Sequence, residues 1–316
     1  MKRPDVLVMY PLRPAAMAQL EAAYRLHRHD EASDGEALLR EAGPACEAIV
    51  INGHAALTAD HLKHLPNVKI VACSSAGFES IDVDALKARG IHLTNSSDAL
   101  LDDVADTALM LTLAARRQLV AAHDYVRSGD WGRKGMYPLL SSMRGRRAGI
   151  VGLGRIGMAI ARRFEPLGLE IGYVARNPRP VAYRRFDDAL SLAGWADILV
   201  VIVPGGHRTE GMIDRAVIDA LGPEGTLVNI ARGSVVDEAA MIDALRCGRL
   251  GSAGLDVYRG EPDPDPALTT LPNVTLYPHH ASGTVETRDA MAQLVVDNLA
   301  AFFAGRPLLT PVHAVS

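Results

Sequence analysis

Ala148-Gly-Ile-Val-Gly-Leu-Gly-Arg-Ile-Gly157 is the stretch whose reading decides the fold. Residues of strand character run straight into Gly152-Leu-Gly154-Arg-Ile-Gly157, and an apolar helical pattern over Ile156–Phe164 follows without a gap. In such a turn the first glycine makes the tight bend. The second lets backbone approach a pyrophosphate, and the third lets helix and strand pack closely. The helix start then offers N–H groups and a partial positive charge to phosphate oxygens. A lone G-x-G-x-x-G is weak; one that joins a strand to a helix and heads a long βα series predicts a dinucleotide site.

That series extends downstream. Ala148–Leu153, Ile171–Val174, Ile198–Val203, Thr226–Ile230, Ala253–Val257 and Val274–Leu276 read as strands. Helical patterns over Asp187–Leu192, Arg215–Leu221 and Glu238–Cys247 lie between the later ones. Ile198–Val203 is an unbroken apolar run, as expected of a strand buried on both faces. Upstream, strands at Val6–Tyr10, Ala48–Ile51, Ile70–Cys73 and Ile91–Thr94 alternate with helices at Ala15–Arg25, Ala37–Ala42, Thr58–Leu65 and Asp82–Ala88. Alternation of this kind predicts a parallel sheet covered on both faces. One long helical pattern, about Asp102 to Val126, has no interior Gly or Pro and is expected to bridge two domains. The last helix, about Val285–Phe303, is long enough to return to the first domain. Glu261-Pro-Asp-Pro-Asp-Pro266 reads as a rigid loop.

Composition bounds the function. The 316 residues suggest about two domains, and 48% hydrophobic with 22% charged residues is ordinary for a globular protein. A net charge of −4 argues against a general nucleic-acid binder. Cys46, Cys73 and Cys247 have neither metal spacing nor the even count of a disulfide framework, which fits a reducing cytoplasm. The run Val6–Tyr10 is too short for a secretory signal, and Ile198–Val203 is far below a membrane span, so no membrane partner is expected.

Nucleotide choice is read from the second strand of the glycine-turn domain. An NAD site usually ends that strand in Asp or Glu, which holds the ribose 2′-OH. Here it ends Tyr173-Val-Ala-Arg176-Asn, with Arg179 close by and no acid. Guanidinium groups suit a 2′-phosphate. NADP(H) is therefore the preferred cofactor, with NAD(H) possible.

Three candidates for chemistry sit just past late strands: Arg232 before Gly233, Glu261 after Gly254-Leu-Asp-Val-Tyr258, and His279 after Tyr277-Pro278. In a doubly wound fold the carboxyl ends of strands face the ligand crevice. Reducing a 2-keto acid needs a cation on the carboxylate and carbonyl, an acid for the nascent alkoxide, and a carboxylate that favours the charged imidazole. The three residues together supply that set.

Those residues lie in motifs that resemble the D-isomer-specific 2-hydroxyacid dehydrogenases. The matching pieces are Gly149–Gly157, Val228-Asn-Ile-Ala-Arg-Gly-Ser-Val-Val-Asp237, Gly254-Leu-Asp-Val-Tyr, Glu261-Pro262, Leu271-Pro-Asn-Val and Pro278-His-His-Ala-Ser-Gly-Thr284. In the first domain they include Ser74-Ser-Ala-Gly-Phe-Glu-Ser-Ile-Asp82, Thr94–Asp98 and Val104-Ala-Asp106. The chain is most similar to the hydroxypyruvate/glyoxylate and hydroxyphenylpyruvate reductases. The resemblance implies an α/β protein of two doubly wound parallel-sheet domains. One is a smaller flavodoxin-like substrate domain (1–98 plus 286–316), the other a Rossmann dinucleotide-binding domain (99–285), with the active site between them. It implies NADPH-dependent reduction of a small 2-keto acid to the D-2-hydroxy acid. Arg232 would bind substrate, His279 would be the general acid and Glu261 its partner. The amides of Ala76 and Gly77 would hold the carboxylate. Asp256 would bind the nicotinamide carboxamide, Ser282 would lie beside the ring, and Val104 would pack on its face. Ile230 and Ala231 would join the cofactor site, with Arg155 and Ile156 over the pyrophosphate. A homodimer is expected, its interface at the apolar stretch Ala108–Ala114.

Two positions depart from the family pattern. His280 replaces the usual aliphatic residue, so two histidines compete for the acid role, and His279 is preferred because it follows Pro278 directly. Pro204-Gly-Gly-His207 replaces a Pro-Leu-Thr-like turn. The alternative function is a non-catalytic NAD(P)-sensing protein on the same fold. His61 and His64 read as a surface pair, and Trp131 and Trp195 as packing residues.

Overall fold

The structure, a computed structural model, describes residues 3–313. The chain forms two compact units, Met1–Leu100 with Ser282–Ser316, and Leu101–Ala281.

In the first unit, strands β1 (Asp5–Val8), β2 (Arg25–Arg28), β3 (Cys46–Ile51), β4 (Ile70–Cys73) and β5 (His92–Thr94) form one sheet. All pairs are parallel, in the order β2-β1-β3-β4-β5, the flavodoxin-like winding. Helices α1 (Pro14–Ala23), α2 (Gly35–Ala42), α3 (Ala59–Lys63) and α4 (Val83–Ala88) connect the strands. The central strands β1 and β4 are buried at every residue, because helices cover both faces. The long C-terminal helix (Val285–Phe303) belongs to this unit, where Val295 and Leu299 pack with Val8, Ala48 and Ile70.

The second unit opens with α5 (Leu101–Arg116), α6 (Leu119–Arg127) and α7 (Asp130–Lys134). Its strands are β6 (Arg147–Val151), β7 (Glu170–Val174), β8 (Arg184–Arg185), β9 (Ile198–Val201), β10 (Thr226–Asn229), β11 (Ser252–Leu255) and β12 (Val274–Leu276). They pair in parallel in the order β12-β11-β10-β9-β6-β7-β8, the doubly wound Rossmann arrangement with one further strand at the β12 edge. The sheet is linked by α8 (Arg155–Phe164), α9 (Ala189–Trp195), α10 (Arg215–Leu221), α11 (Glu238–Arg246) and α12 (Pro266–Thr270). With the C-terminal helix as α13, the helix starts follow from local chemistry. Asp34, Thr58, Asp82, Asp188, Asp214, Asp237, Asp265 and Thr284 each accept a first-turn N–H and so cap α2, α3, α4, α9, α10, α11, α12 and α13. His61 completes a capping box with Thr58 at the start of α3, which gives that histidine a structural place.

Four expectations change. The helix expected over 102–126 is two helices, broken at Gln118 in the left-handed region, and α5 lies within the second unit. The break follows the burial of Arg116, which donates to the carbonyls of Asp197 and Glu224 and to Thr226 under the strand starts. Beyond it, α6 buries no residue and has no core to follow. The stretch Ala108–Ala114 is only partly a free apolar face: Ala108, Leu111 and Ala114 are buried, with Leu111 against Gly254 of β11, while Met110 is exposed. Trp131 is not a packing residue: it is 61% exposed, whereas Trp195 packs on Phe186 and over Gly172. The run expected to be a loop through Pro266 ends in the short helix α12, capped by Asp265.

Candidate active site

Parallel strands bring the loops after β6, β10, β11 and β12 to one edge of the second sheet. Each supplies a different chemistry.

The turn after β6 is made of backbone. Gly152 has φ +109°, and a Cβ there would stand 2.6 Å from the Ile202 carbonyl oxygen. A Cβ on Gly157 would stand 2.3 Å from the Gly152 oxygen, so the third glycine is required by helix–strand contact. Gly154 differs: apart from its own backbone neighbours, nothing lies within 4 Å of where its Cβ would be. That open space borders the start of α8, which has neither a capping side chain nor an acid in its first turn. The open backbone and the sign of the helix dipole suit a phosphate anion there. Arg155 is exposed and Ile156 half-buried over this turn.

At the end of β7, Arg176 is exposed. Arg179 bends back so that its Nε donates to the Leu153 carbonyl at 2.9 Å, and its N–H donates to the Tyr173 hydroxyl at 3.1 Å. One guanidinium is thus fixed on the glycine turn itself. After β9, the Pro204–His207 turn is closed by Thr209, whose hydroxyl donates to the Pro204 oxygen at 2.7 Å, with Gly206 at φ +105°.

Arg232, half-buried, follows β10 and the buried Ile230 and Ala231, and its Nη1 donates to the Ala231 carbonyl at 2.6 Å. Asn229 shapes this loop: Oδ1 accepts the Ala231 N–H at 3.0 Å and Nδ2 donates to the Arg232 carbonyl at 3.0 Å. Asn229 is a support of the Arg232 loop that sequence reasoning missed. Its signal is a buried amide at the last residue of an apolar strand, a position that requires a partner.

The loops after β11 and β12 meet at the Glu261–His279 pair. His279 Nδ1 and Glu261 Oε2 are 2.6 Å apart. His279 has φ +47°, uncommon for a side chain of this size, and its N–H is held by the Asp256 carbonyl at 2.7 Å. Asp256 is 1% exposed; its Oδ1 accepts the His280 N–H at 2.7 Å and its Oδ2 the Ala281 N–H at 3.1 Å. Burial pushes the Asp256 carboxyl above its ordinary value, while these two N–H bonds pull the other way. The imidazole of His280 goes elsewhere: it is exposed and meets the edge of Tyr277 with ring centroids 6.0 Å apart. The geometry therefore joins His279, not its neighbour, to the carboxylate.

The remaining candidates are placed by their own units. Val104 is buried on α5. In the first unit Ala76 and Gly77 lie half-buried after β4, with the Ala76 carbonyl accepting from Asn95 at 3.0 Å. Gly53 packs so closely that a Cβ would stand 2.0 Å from the Gly77 oxygen. Ser282 is half-buried at the start of the segment leading to α13. Among the described residues no three His, Cys, Asp or Glu side chains cluster to hold a metal, and no helix is long and apolar enough to cross a membrane.

Comparison with known proteins fits this geometry. The family profile "D-isomer specific 2-hydroxyacid dehydrogenase, NAD binding domain" matches residues 109–281. The 2-ketogluconate reductase of Gluconobacter oxydans is 41% identical over 311 residues, 98% of this chain and 99% of that protein. Glyoxylate/hydroxypyruvate reductase A of Arabidopsis thaliana is 45% identical over 308 residues, 97% and 98% of the two chains. Among solved structures, the NADPH-dependent glyoxylate/hydroxypyruvate reductase of Sinorhizobium meliloti, in complex with NADP and malonate, superposes with a TM-score of 0.89 at 40% identity. That match covers 98% of this chain and 97% of the other. A glycine turn built for a dinucleotide and likeness along nearly the whole chain lead to one assignment: the protein belongs to the D-isomer-specific 2-hydroxyacid dehydrogenases, and its second unit is their NAD-binding domain.

Proposed function

We propose that the protein reduces a small 2-keto acid of the glyoxylate/hydroxypyruvate class, with aryl-pyruvates as an extension, to the D-2-hydroxy acid, using NADPH in preference to NADH. The observation that carries this reading is the 2.6 Å contact between His279 Nδ1 and Glu261 Oε2 at the ligand-facing edge of the sheet.

When bound, a reduced nicotinamide dinucleotide supplies the hydride that converts ketone to alcohol. The chain's own residues do the rest. With Nδ1 engaged by Glu261, the imidazole holds its transferable proton on Nε2, which is delivered to the carbonyl oxygen as it gains charge. Arg232 neutralises the carboxylate and polarises the carbonyl, and the Ala76 and Gly77 amides of the first unit are offered as further donors to a carboxylate. Gly152, Gly154, Arg155, Ile156 and Gly157 cradle the pyrophosphate. Val104, Ile230, Ala231, Asp256 and Ser282 surround the nicotinamide. Arg176 and Arg179 favour a 2′-phosphate, a reading supported by the lack of any acid over Val174–Asn177 and by the NADPH-dependent relative. The working assembly is a homodimer. The exposed Met110 within Ala108–Ala114, and the exposed Leu119, Val120, Trp131, Met136 and Leu139 beyond α5, support it; a monomer at micromolar concentration in light scattering would refute it.

The test is NADPH oxidation, with NADH in parallel, on glyoxylate, hydroxypyruvate, phenylpyruvate and 4-hydroxyphenylpyruvate. Turnover with NADPH on at least one is expected. Tight NADPH binding with no turnover on any would favour a cofactor sensor and overturn the reading.

A further inference from the structure

Tyr258 touches all three loops that carry the proposed chemistry. It follows β11 and is only 8% exposed. Its N–H donates to Glu261 Oε1 at 2.9 Å, so the carboxylate that meets His279 through Oε2 is held through its other oxygen by Tyr258. The phenolic hydroxyl reaches across to the loop after β12. It donates to the Tyr277 carbonyl at 2.8 Å, two residues before His279, and lies 3.1 Å from both the Tyr277 N–H and the Leu255 carbonyl. On its third side, the backbone of Tyr258 packs against Gly233, next to Arg232, so tightly that a Cβ on Gly233 would stand 1.9 Å from the Tyr258 carbonyl carbon.

We propose that Tyr258 is a positioning residue for the proton-transfer pair: its hydroxyl sets the place of the His279 loop against the Glu261 carboxylate that its own N–H holds. His279 needs such a support, because its φ of +47° lies in a region that backbone geometry alone does not favour. Asp256 restrains the loop from the other side, through its carbonyl to the His279 N–H and its carboxylate to the His280 and Ala281 N–H groups. Neither Tyr258 nor Asp256 needs to touch substrate to act this way. Burial pushes the Tyr258 hydroxyl up to about 12, so it remains a donor near neutral pH. A phenylalanine would fill the same space and supply the same N–H to Glu261, and would lack only the hydroxyl's bonds to Tyr277 and Leu255.

This role rests on the reading of His279 as the acid, and Tyr258→Phe tests it separately. Three quantities are measured on wild type and variant: kcat with the best keto acid, the Kd of NADPH by fluorescence, and the low-field NMR resonance of the His279 Nδ1 proton in the cofactor-free protein. The resonance is assigned by its loss in His279→Gln. The expected result is a fall in kcat of about tenfold, NADPH Kd within about twofold, and a shifted or broadened resonance, because a small misplacement of the acid is felt in the chemical step. A lower melting temperature with kcat and resonance unchanged would show a merely structural tyrosine and overturn the proposal. Absence of the resonance from wild type would contradict the pair itself, and this role with it. Full activity in His279→Gln would instead sink the functional reading, leaving Tyr258 no acid to position.

Discussion

The glycine turn after β6 and the paired loops after β11 and β12 lie along the same edge of one sheet, yet they are built from opposite materials. The turn works by leaving side chains out. Gly152 supplies a bend, and Gly154 leaves open the space that a side chain would take. The paired loops work by adding side chains and then restraining them: Glu261 is held by Tyr258, and the His279 loop by Asp256 and Tyr258. Phosphate recognition asks for backbone N–H groups at a fixed place, which a helix start provides without tuning. Proton transfer asks for one atom at one place, which a flexible side chain provides only with a second tier of bonds.

Substitutions that remove charge from the side-chain-built half carry the largest expected cost. Arg232→Ala should lower kcat/KM for the keto acid about a thousandfold while leaving NADPH affinity nearly unchanged. Steady-state kinetics beside a cofactor titration checks this, and equal losses in both would merge two halves that the comparison separates.

Two glycines split the backbone-built half. Gly154→Ala places its methyl in open space at φ −84°, so its melting temperature should match wild type while the NADPH Kd rises about tenfold or more. Gly152→Ala should instead melt several degrees lower, because φ is +109° and the Ile202 oxygen is in the way. Matching behaviour of the two would contradict the distinction between a glycine kept for ligand room and one kept for the chain's own bend.

Cofactor choice should be a smaller effect. Arg176→Ala should raise the Michaelis constant for NADPH about tenfold and hardly alter that for NADH. An equal change in both would remove Arg176 from the 2′-phosphate site.

Least of all is a pH effect outside the site. Burial and then the neighbouring His313 hold His92 in the first unit below the usual histidine value. A group lowered on folding resists protonation in the folded state. Its contribution is therefore complete above the unfolded value and lost as pH falls through the folded one. His92→Asn should reduce the drop in melting temperature between about pH 7.5 and about pH 5.5 by on the order of 1 °C, with the pH profile of kcat unmoved. A changed kcat profile would mean that stability and proton transfer are not separable.

What is legible in sequence follows the same division. A strand buried on both faces announces itself as an apolar run, so Ile70–Cys73 is read to the residue, as is the capped helix Val285–Phe303. The edge strands are not: Arg25–Arg28 is polar because solvent lies beside it, and Arg184–Arg185 is too short to show a period. Nothing local marks Gln118 as left-handed; the break comes from the burial of Arg116, a tertiary contact. At the site, the glycine spacing is itself the geometry and can be read directly. Glu261 and His279 can be picked out by their place past strand ends, and His279 is preferred over His280 by its place after Pro278, while the backbone angle that turns it to Glu261 is announced by no residue type. Asn229 and Tyr258 stay hidden because a support residue looks like part of a strand or its exit until its hydrogen bonds are seen.

The most direct measurement is kcat of His279→Gln and of His280→Gln, each against wild type, with NADPH and the best keto acid. The account predicts a loss of about a thousandfold for His279→Gln and less than about threefold for His280→Gln. Loss of turnover in His280→Gln with His279→Gln still active would contradict it.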